Sequence, residues 1–281
     1  MCELHESGVV RRSFLGLLTI GAAHAFGCAT VPITGRSQLR LVSDHELEIA
    51  ADRSYANLIA QARAKNAILQ SSESDKAAET NRIVARAAGK IVEVSGLRQQ
   101  YRWSVVTLKS REPNAFVLPN GKIAVFTGIL PVVKNEDGLA AILGHEVAHV
   151  TAGHRAERVS QALLAQAITD VGKAMADKKQ RAQIEAALGV VGQYGVLLPF
   201  SRAHESEADY IGQLYMAKAG YKPEEAVHVW ERMAALGGQK PPEFLSTHPS
   251  DQTRIRQLRQ WLPQAMEYYR DPSRPLPKAV K

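Results

Sequence analysis

Residues 140–154 read AAILGHEVAHVTAGH, three histidines and one glutamate in an otherwise apolar run. Polar groups of that kind are costly to bury without partners. His145, Glu146 and His149 spell H-E-x-x-H. On a helix, positions i and i+4 lie about 40° apart and about 6 Å along the axis. The two imidazoles therefore reach one point above the same face, the geometry that puts two nitrogens on one zinc ion. Glu146 is displaced by one residue, so it leans beside the metal instead of ligating it and can take a proton from an activated water. The plain alternative is a core helix with two satisfied histidines. The apolar run Leu139–Leu143, followed by Gly144, which permits close packing, argues against it, because a buried ionisable triplet needs something to organise it.

A catalytic zinc takes a third protein ligand and keeps one position open. His154 follows His149 by five residues, and about 500° of helical turn points it away from the pair. A metzincin pattern, H-E-x-x-H-x-x-G-x-x-H, would place the glycine earlier and the last histidine later, so it is disfavoured. His154 then reads as an outer-face or supporting group. In SRAHESEAD (201–209), Glu205 and Asp209 are again i and i+4 and share a face. One can ligate zinc while the other accepts the N–H of a ligating histidine and fixes its tautomer. Glu207 points elsewhere on that helix, and His204 is a further candidate ligand. Taken alone, this stretch would read as an exposed acidic helix start, where carboxylates favour the positive end of the dipole; beside H-E-x-x-H the ligand reading prevails.

These groups need a scaffold. The chain has 281 residues, 45% hydrophobic and 22% charged, the composition of an ordinary globular protein. Ser43 with Glu46 is a capping-box signature opening a helix to about 64, and a second helix spans about 76–94, ended by Gly96. RWSVVTL (102–108) reads as a strand. NAFVLPNGKIAVFTG (114–128) holds two strand-like runs around Asn120-Gly121, a hairpin signal. From 136 onward the pattern is helical, over about 136–155, 157–175, 181–196, 202–218, 223–236 and 251–268. The reading is one α+β domain, mostly helical, over 43–270, with a small sheet next to the H-E-x-x-H helix. An extended linker is expected over 28–42 and a disordered basic tail over 271–281. The net charge of +7 is spread out, and its densest cluster, ADKKQRAQ (176–183), reads as a solvated face. No nucleic-acid motif accompanies it, so no nucleic-acid partner is expected.

The N-terminus reads as an export signal over 1–27: Arg11 and Arg12, a short apolar run, and a small residue before Cys28. The apolar run is shorter than the about 20 residues of a membrane helix. RRSFL resembles a twin-arginine signal, with the general secretory route as the alternative. AFGC resembles a bacterial lipobox, making Cys28 the lipidation site. Ordinary cleavage near residues 23–25, leaving a free thiol, is the other reading. Ala29 after the cysteine points such a lipoprotein to the outer membrane of a Gram-negative cell. The expected location is therefore the periplasm, with membrane attachment through a lipid on Cys28. Cys2 and Cys28 are the two cysteines, and loss of Cys2 with the signal leaves no internal disulfide.

H-E-x-x-H followed by E-x-x-x-D within FSRAHESEADYIG resembles metallopeptidase family 48, the group of the HtpX protease, the CAAX prenyl protease and the BepA and LoiP proteases. CATVPITGRSQLRLVS, NAFVLPNGKIAVFTGIL and STHPSDQTRI are similar to further stretches of that group, so the resemblance spans roughly 28–265. It implies a zincin-like (gluzincin) fold, one Zn2+ held by His145, His149 and Glu205, Glu146 as catalytic glutamate and Asp209 in support. The lack of several membrane helices and the short C-terminus resemble the soluble periplasmic, LoiP-like branch.

The implied reaction is zinc-dependent peptide hydrolysis, with unfolded or misassembled envelope proteins as substrates in quality control. A chaperone-like binding factor with little turnover is the alternative. His248, in LSTHPSDQTR, is a candidate oxyanion donor, a group that occupies the open zinc position, or part of a capping loop. Arg254 and Arg202 read as ion-pair partners of nearby carboxylates. The strand of Asn114, Ala115, Phe116 and Val117, or its mate 122–126, could bind a substrate strand by backbone pairing.

Overall fold

The computed structural model describes residues 27–169, 200–236, 243–248 and 252–278. The leader apart from Gly27, the basic cluster at 176–183 and the helix expected at 181–196 lie outside the described residues.

The segment expected as a linker is built into the fold. Strands β1 (Cys28–Thr30) and β2 (Ser37–Leu39) pair antiparallel, and Gly35, at φ 74°, turns the chain between them. Val31 and Ile33 are buried in the main core. Three-residue strands are too short to show a period-2 pattern, which is why the stretch looks irregular in sequence.

Helix α1 (Asp44–Ala64) opens with the expected capping box between Ser43 and Glu46. Helix α2 (Asp75–Ser95) is capped by Ser74 and ends at Gly96, whose φ of 74° is left-handed. Three strands follow: β3 (Ser104–Leu108), β4 (Ala115–Val117) and β5 (Lys122–Phe126). Their order is β3-β5-β4, with β3 parallel and β4 antiparallel to β5. β5 is therefore flanked on both sides, whereas β4 is an edge.

A 3-10 turn and the short helix α3 (Leu130–Val133) lead into α4 (Glu136–Thr151), which carries H-E-x-x-H. Asn135 caps it by accepting from Gly138 N–H at 2.8 Å. Every residue from Gly138 to His149 is buried, so α4 is a central helix and not an amphipathic one. Leu139, Ile142, Leu143 and Val147, each 1% exposed or less, contribute about 1.5–3 kcal/mol apiece on burial. That offsets much of the cost of burying the polar groups on the same helix. α4 packs on α2, on β4, on α6 (Arg202–Lys218) and on α7 (Glu224–Ala235).

The α4–α6 contact positions the site. A Cβ added at Gly144 would meet the Gly212 carbonyl oxygen at 2.7 Å, and one at Gly212 would meet the His145 amide nitrogen at 2.6 Å. Only glycine at both positions lets the two backbones come this close, and this crossing brings Glu205 and Asp209 of α6 against His145 of α4.

Helix α5 (His154–Thr169) starts after a break at Ala152-Gly153. The short helix α8 (Glu243–Thr247) and the long α9 (Gln252–Arg270) complete the fold, α9 packing on α6 and α7. Residues 271–278, expected as a disordered tail, lie on the body. Lys218 Nζ donates to the carbonyls of Pro272 and Arg274, and Leu276 packs against the core. A backbone that accepts from a helix-terminal lysine and half-buries a leucine is held despite its polar composition. Among the described residues, no helix is long and apolar enough to cross a membrane.

Candidate metal centre and active site

His145, His149, Glu205 and His248 each offer one ligand atom, and these atoms all lie within 4.8 Å of one another. His149 Nε2 is 3.0 Å from His145 Nε2, and Glu205 faces both imidazoles, at 3.4 Å from His145 and 3.5 Å from His149. His248 Nδ1 is 3.0 Å from Glu205 Oε1 and 3.2 Å from His145 Nε2. All four are buried.

The donor set fits a cation. Three imidazole nitrogens and a carboxylate converge on one point, the arrangement that the ligands of a bound cation take. Both carboxylate oxygens of Glu146 are buried and accept no hydrogen bond among the described residues. Buried polar atoms are rarely left so, and an ion resolves the set. Nitrogen and carboxylate ligands at this count are those of zinc.

Behind the donors stands a carboxylate–arginine pair. His145 Nδ1 is 2.9 Å from Asp209 Oδ1. Arg254 on α9 donates to both Asp209 oxygens at 2.7 Å and pairs with Glu205 Oε2 at 2.6 Å, as an ion-pair partner was expected to do. Its guanidinium lies over Trp230 at 3.7 Å. Arg202 is exposed at the start of α6. Burial opposes charge on Glu205 and Asp209, but His248 and Arg254 at the first and Arg254 at the second outweigh it and hold both carboxyls below their usual range.

His154 is placed otherwise than helical arithmetic predicts. α4 stops at Thr151, Gly153 takes φ 63°, and a new helix begins at His154. The chain turns back, and the ring of His154, with no exposed surface, sits with Nδ1 2.8 Å from His149 Nδ1. Its Nε2 donates to Glu207 Oε2 at 2.9 Å. Glu207, expected to point elsewhere, does turn from the metal donors and anchors this second network. It accepts from Arg36 Nε at 2.8 Å and from the Thr34 hydroxyl. Arg36 also forks onto Glu157 at 2.9 and 2.7 Å, and Glu157 meets His204 Nε2 at 3.0 Å. His204 is thus in this network and outside the donor cluster. Arg36, Thr34 and Glu157 were not legible as site residues. The sequence signal for them is the likeness of CATVPITGRSQLRLVS, which contains Thr34 and Arg36, to a stretch of the same family.

This network has a pH signature. Burial opposes charge on Glu207, but His154, Thr34 and Arg36 outweigh it and lower its carboxyl to about 2; burial lowers His204 to about 4. Both folded values lie below the unfolded ones, so each group contributes stability at higher pH that is lost as pH falls through the folded value. His145 has the opposite sign: burial opposes its charge, Asp209 and Glu205 overcome it, and a value raised to about 9 acts only above the unfolded 6.5. Urea unfolding of the metal-free protein is expected to show a midpoint falling from about pH 6.5 to 4 and again towards 2. A midpoint constant from pH 7 to 3 would refute this assignment.

Glu146 is buried on α4, with His248 Nε2 at 3.3 Å from Oε1. Asn114, Ala115 and Val117 are buried and Phe116 is half-buried. Of the two strands considered for substrate pairing, β5 is excluded because both its edges are taken. β4 keeps an outer edge, along which Arg155 already donates to Val117 O at 3.2 Å. Phe200 stacks on His149 at 4.0 Å between ring centres, and Phe244 on His248 at 4.7 Å. Cys28 is exposed at the start of β1.

A family model described as Peptidase family M48 matches residues 74–262. The chain belongs to this family. Among its relatives, the Mitochondrial metalloendopeptidase OMA1 of Schizosaccharomyces pombe is 44% identical over 188 residues, covering 66% of this chain and 54% of that protein. The human Metalloendopeptidase OMA1, mitochondrial, is 32% identical over 267 residues, 90% of this chain and 50% of that one. The Beta-barrel assembly-enhancing protease of Yersinia pestis is 28% identical over 188 residues, 64% of this chain and 36% of that one. The chain spans between about a third and about half the length of the OMA1 relatives.

The family and the mostly helical metallopeptidase fold stand as expected; two narrower expectations do not. The soluble LoiP-like branch finds no support among these relatives. The expected location, an outer-membrane lipoprotein in the periplasm of a Gram-negative bacterium, is overturned: the six OMA1 relatives at 30–44% identity are mitochondrial by name. The physical reason is that basic residues beside a short apolar run occur in more than one class of targeting segment, so charge and apolar length do not choose the compartment.

Proposed function

We propose that the chain is a zinc-dependent endopeptidase that hydrolyses peptide bonds of unfolded or misassembled proteins. The observation that carries this reading is the convergence of His145, His149 and Glu205 on one point, with the unbonded carboxylate of Glu146 beside it. The relatives' names, metalloendopeptidases and a protease, support it.

His145, His149 and Glu205 would hold the ion. When bound, zinc supplies Lewis-acid charge that acidifies a water and polarises the scissile carbonyl. Glu146 accepts the proton of the attacking water and delivers it to the leaving amine. Asp209 accepts the Nδ1–H of His145, fixing the tautomer that leaves Nε2 free to ligate, and Arg254 keeps Asp209 ionised. β4 offers its outer edge to an extended substrate segment, a recognition mode that reads unfolded chain. Ala115 and Val117 are buried as side chains, so it is their backbone that would pair.

His248 lies among the metal donors, and a catalytic site needs one position open. This arrangement therefore supports a closed state in which His248 withdraws when substrate enters.

The test is zinc stoichiometry together with cleavage of an unfolded casein. One zinc per chain is expected, with cleavage lost on chelation, restored by one equivalent of zinc, and raised by His248→Ala. Zinc binding and casein binding without any cleavage would favour a chaperone-like factor and end the endopeptidase reading. Unchanged activity in His248→Ala would remove its blocking role.

A further inference from the structure

The two histidines of H-E-x-x-H are supported differently. His145 rests directly on a carboxylate backed by an arginine, Asp209 with Arg254. On the His149 side, Nδ1 meets a second imidazole, His154 Nδ1, at 2.8 Å. Beyond that ring stands the same kind of pair, Glu207 with Arg36.

Proton bookkeeping along this line has one solution. A histidine that ligates through Nε2 carries its remaining hydrogen on Nδ1. His149 Nδ1–H must then donate, so His154 Nδ1 accepts. A neutral His154 accepting at Nδ1 carries its hydrogen on Nε2, and that N–H meets Glu207 Oε2 at 2.9 Å. Glu207 is acceptor-only, which forces this direction, and it is held by Arg36 Nε and the Thr34 hydroxyl. Arg36 is fixed in turn by its two bonds to Glu157. Every hydrogen has one position, and a single tautomer of His149 results.

We propose that Arg36 and Glu207 are positioning residues for the metal ligand His149, acting through His154, so that the N-terminal hairpin is part of the metal centre. The inference rests on the zinc reading above. It places three supporting groups on three separate parts of the fold: the β1–β2 hairpin, the start of α5 and the first turns of α6. Loss of the hairpin would loosen the site without removing any ligand. Glu157 braces Arg36 from the other side and is met by His204 Nε2 at 3.0 Å; neither lies on the line to His149.

The experiment measures the zinc dissociation constant of the full chain by competition with a chromophoric chelator, together with the visible absorption of the cobalt-substituted protein. Removing a partner that orients a metal-bound histidine typically costs about 10–100-fold in metal affinity. Arg36→Met and Glu207→Gln are each expected to weaken zinc binding within that range and to alter the cobalt spectrum. In a His154→Gln background, Arg36→Met is expected to add less than about twofold, because the line is already cut. Arg86→Met, which breaks a surface ion pair with Glu136, is expected to leave the constant unchanged. Circular dichroism of the metal-free proteins checks folding. Should Glu207→Gln not fold, Arg36→Met, at a side chain 30% exposed, and Thr34→Val carry the test. Wild-type affinity in Arg36→Met, or an equal effect with and without His154, overturns the inference while leaving the zinc reading intact. A wild-type chain that takes up no zinc overturns both.

Discussion

Glu146→Gln is expected to lower peptide hydrolysis by about 10²–10⁴-fold, the usual contribution of a positioned general base and acid. Bound zinc should remain at the wild-type level, because Glu146 is not among the clustered donors. The substitution keeps the shape of the side chain and removes only its ability to take a proton. Neither oxygen of Glu146 has a hydrogen-bond partner among the described residues, so the amide breaks no hydrogen bond seen there. A buried carboxylate that accepts no hydrogen bond is costly, and its nearest cationic group is His248 Nε2 at 3.3 Å, so the neutral amide should leave stability close to that of the wild type. Turnover of a fluorogenic peptide, zinc content and thermal unfolding would be measured on the same preparations. Wild-type turnover in the variant would remove Glu146 from the chemistry. Equal client binding with no cleavage by either protein would instead identify a binding factor.

Arg254→Met is expected to cost the metal-free protein about 3–5 kcal/mol, the range for breaking a buried ion pair from one side. The arginine side chain is 4% exposed and the carboxylates of Glu205 and Asp209 are 1% exposed. Methionine preserves most of the volume against Trp230, so the loss is electrostatic, two buried carboxylates left without their common cation. Two further measurements separate this from a packing defect. Adding Asp209→Asn to Arg254→Met should recover part of the loss, since it removes one of the stranded charges. Saturating zinc should recover more, because an ion bound at Glu205 replaces the lost positive charge and binds only the folded chain. Urea denaturation with and without chelator would decide. A cost that neither Asp209→Asn nor zinc reduces would point to packing and contradict the proposed role.

The residues of the site are unevenly legible in the sequence. The pairs His145/His149 and Glu205/Asp209 are spaced by four, and helical geometry puts each pair on one face whatever the rest of the chain does. The caps at Ser43 and at Gly96 are equally local, and so is the Asn120-Gly121 turn between β4 and β5. Local geometry failed where the helix itself failed. His154 was counted round a helix that in fact ends at Thr151, and the left-handed Gly153 turns its ring onto His149. The 28–42 stretch carries no periodic signal, yet it supplies Arg36 and Thr34 to Glu207, more than 170 residues away.

What the sequence by itself determined is therefore the set of groups that follow from bond geometry along one helix: two imidazoles with a glutamate beside them, and two carboxylates four apart. Only the tertiary structure decided that these two helices meet, that His248 joins them, that β4 and not β5 lies at the edge of the described sheet, and that the N-terminal hairpin backs His149. The reason is that such contacts join segments distant in the chain, and their geometry is set by close packing. The single approach of Gly144 to Gly212 brings Glu205 to the histidines, and no spacing within either helix encodes it.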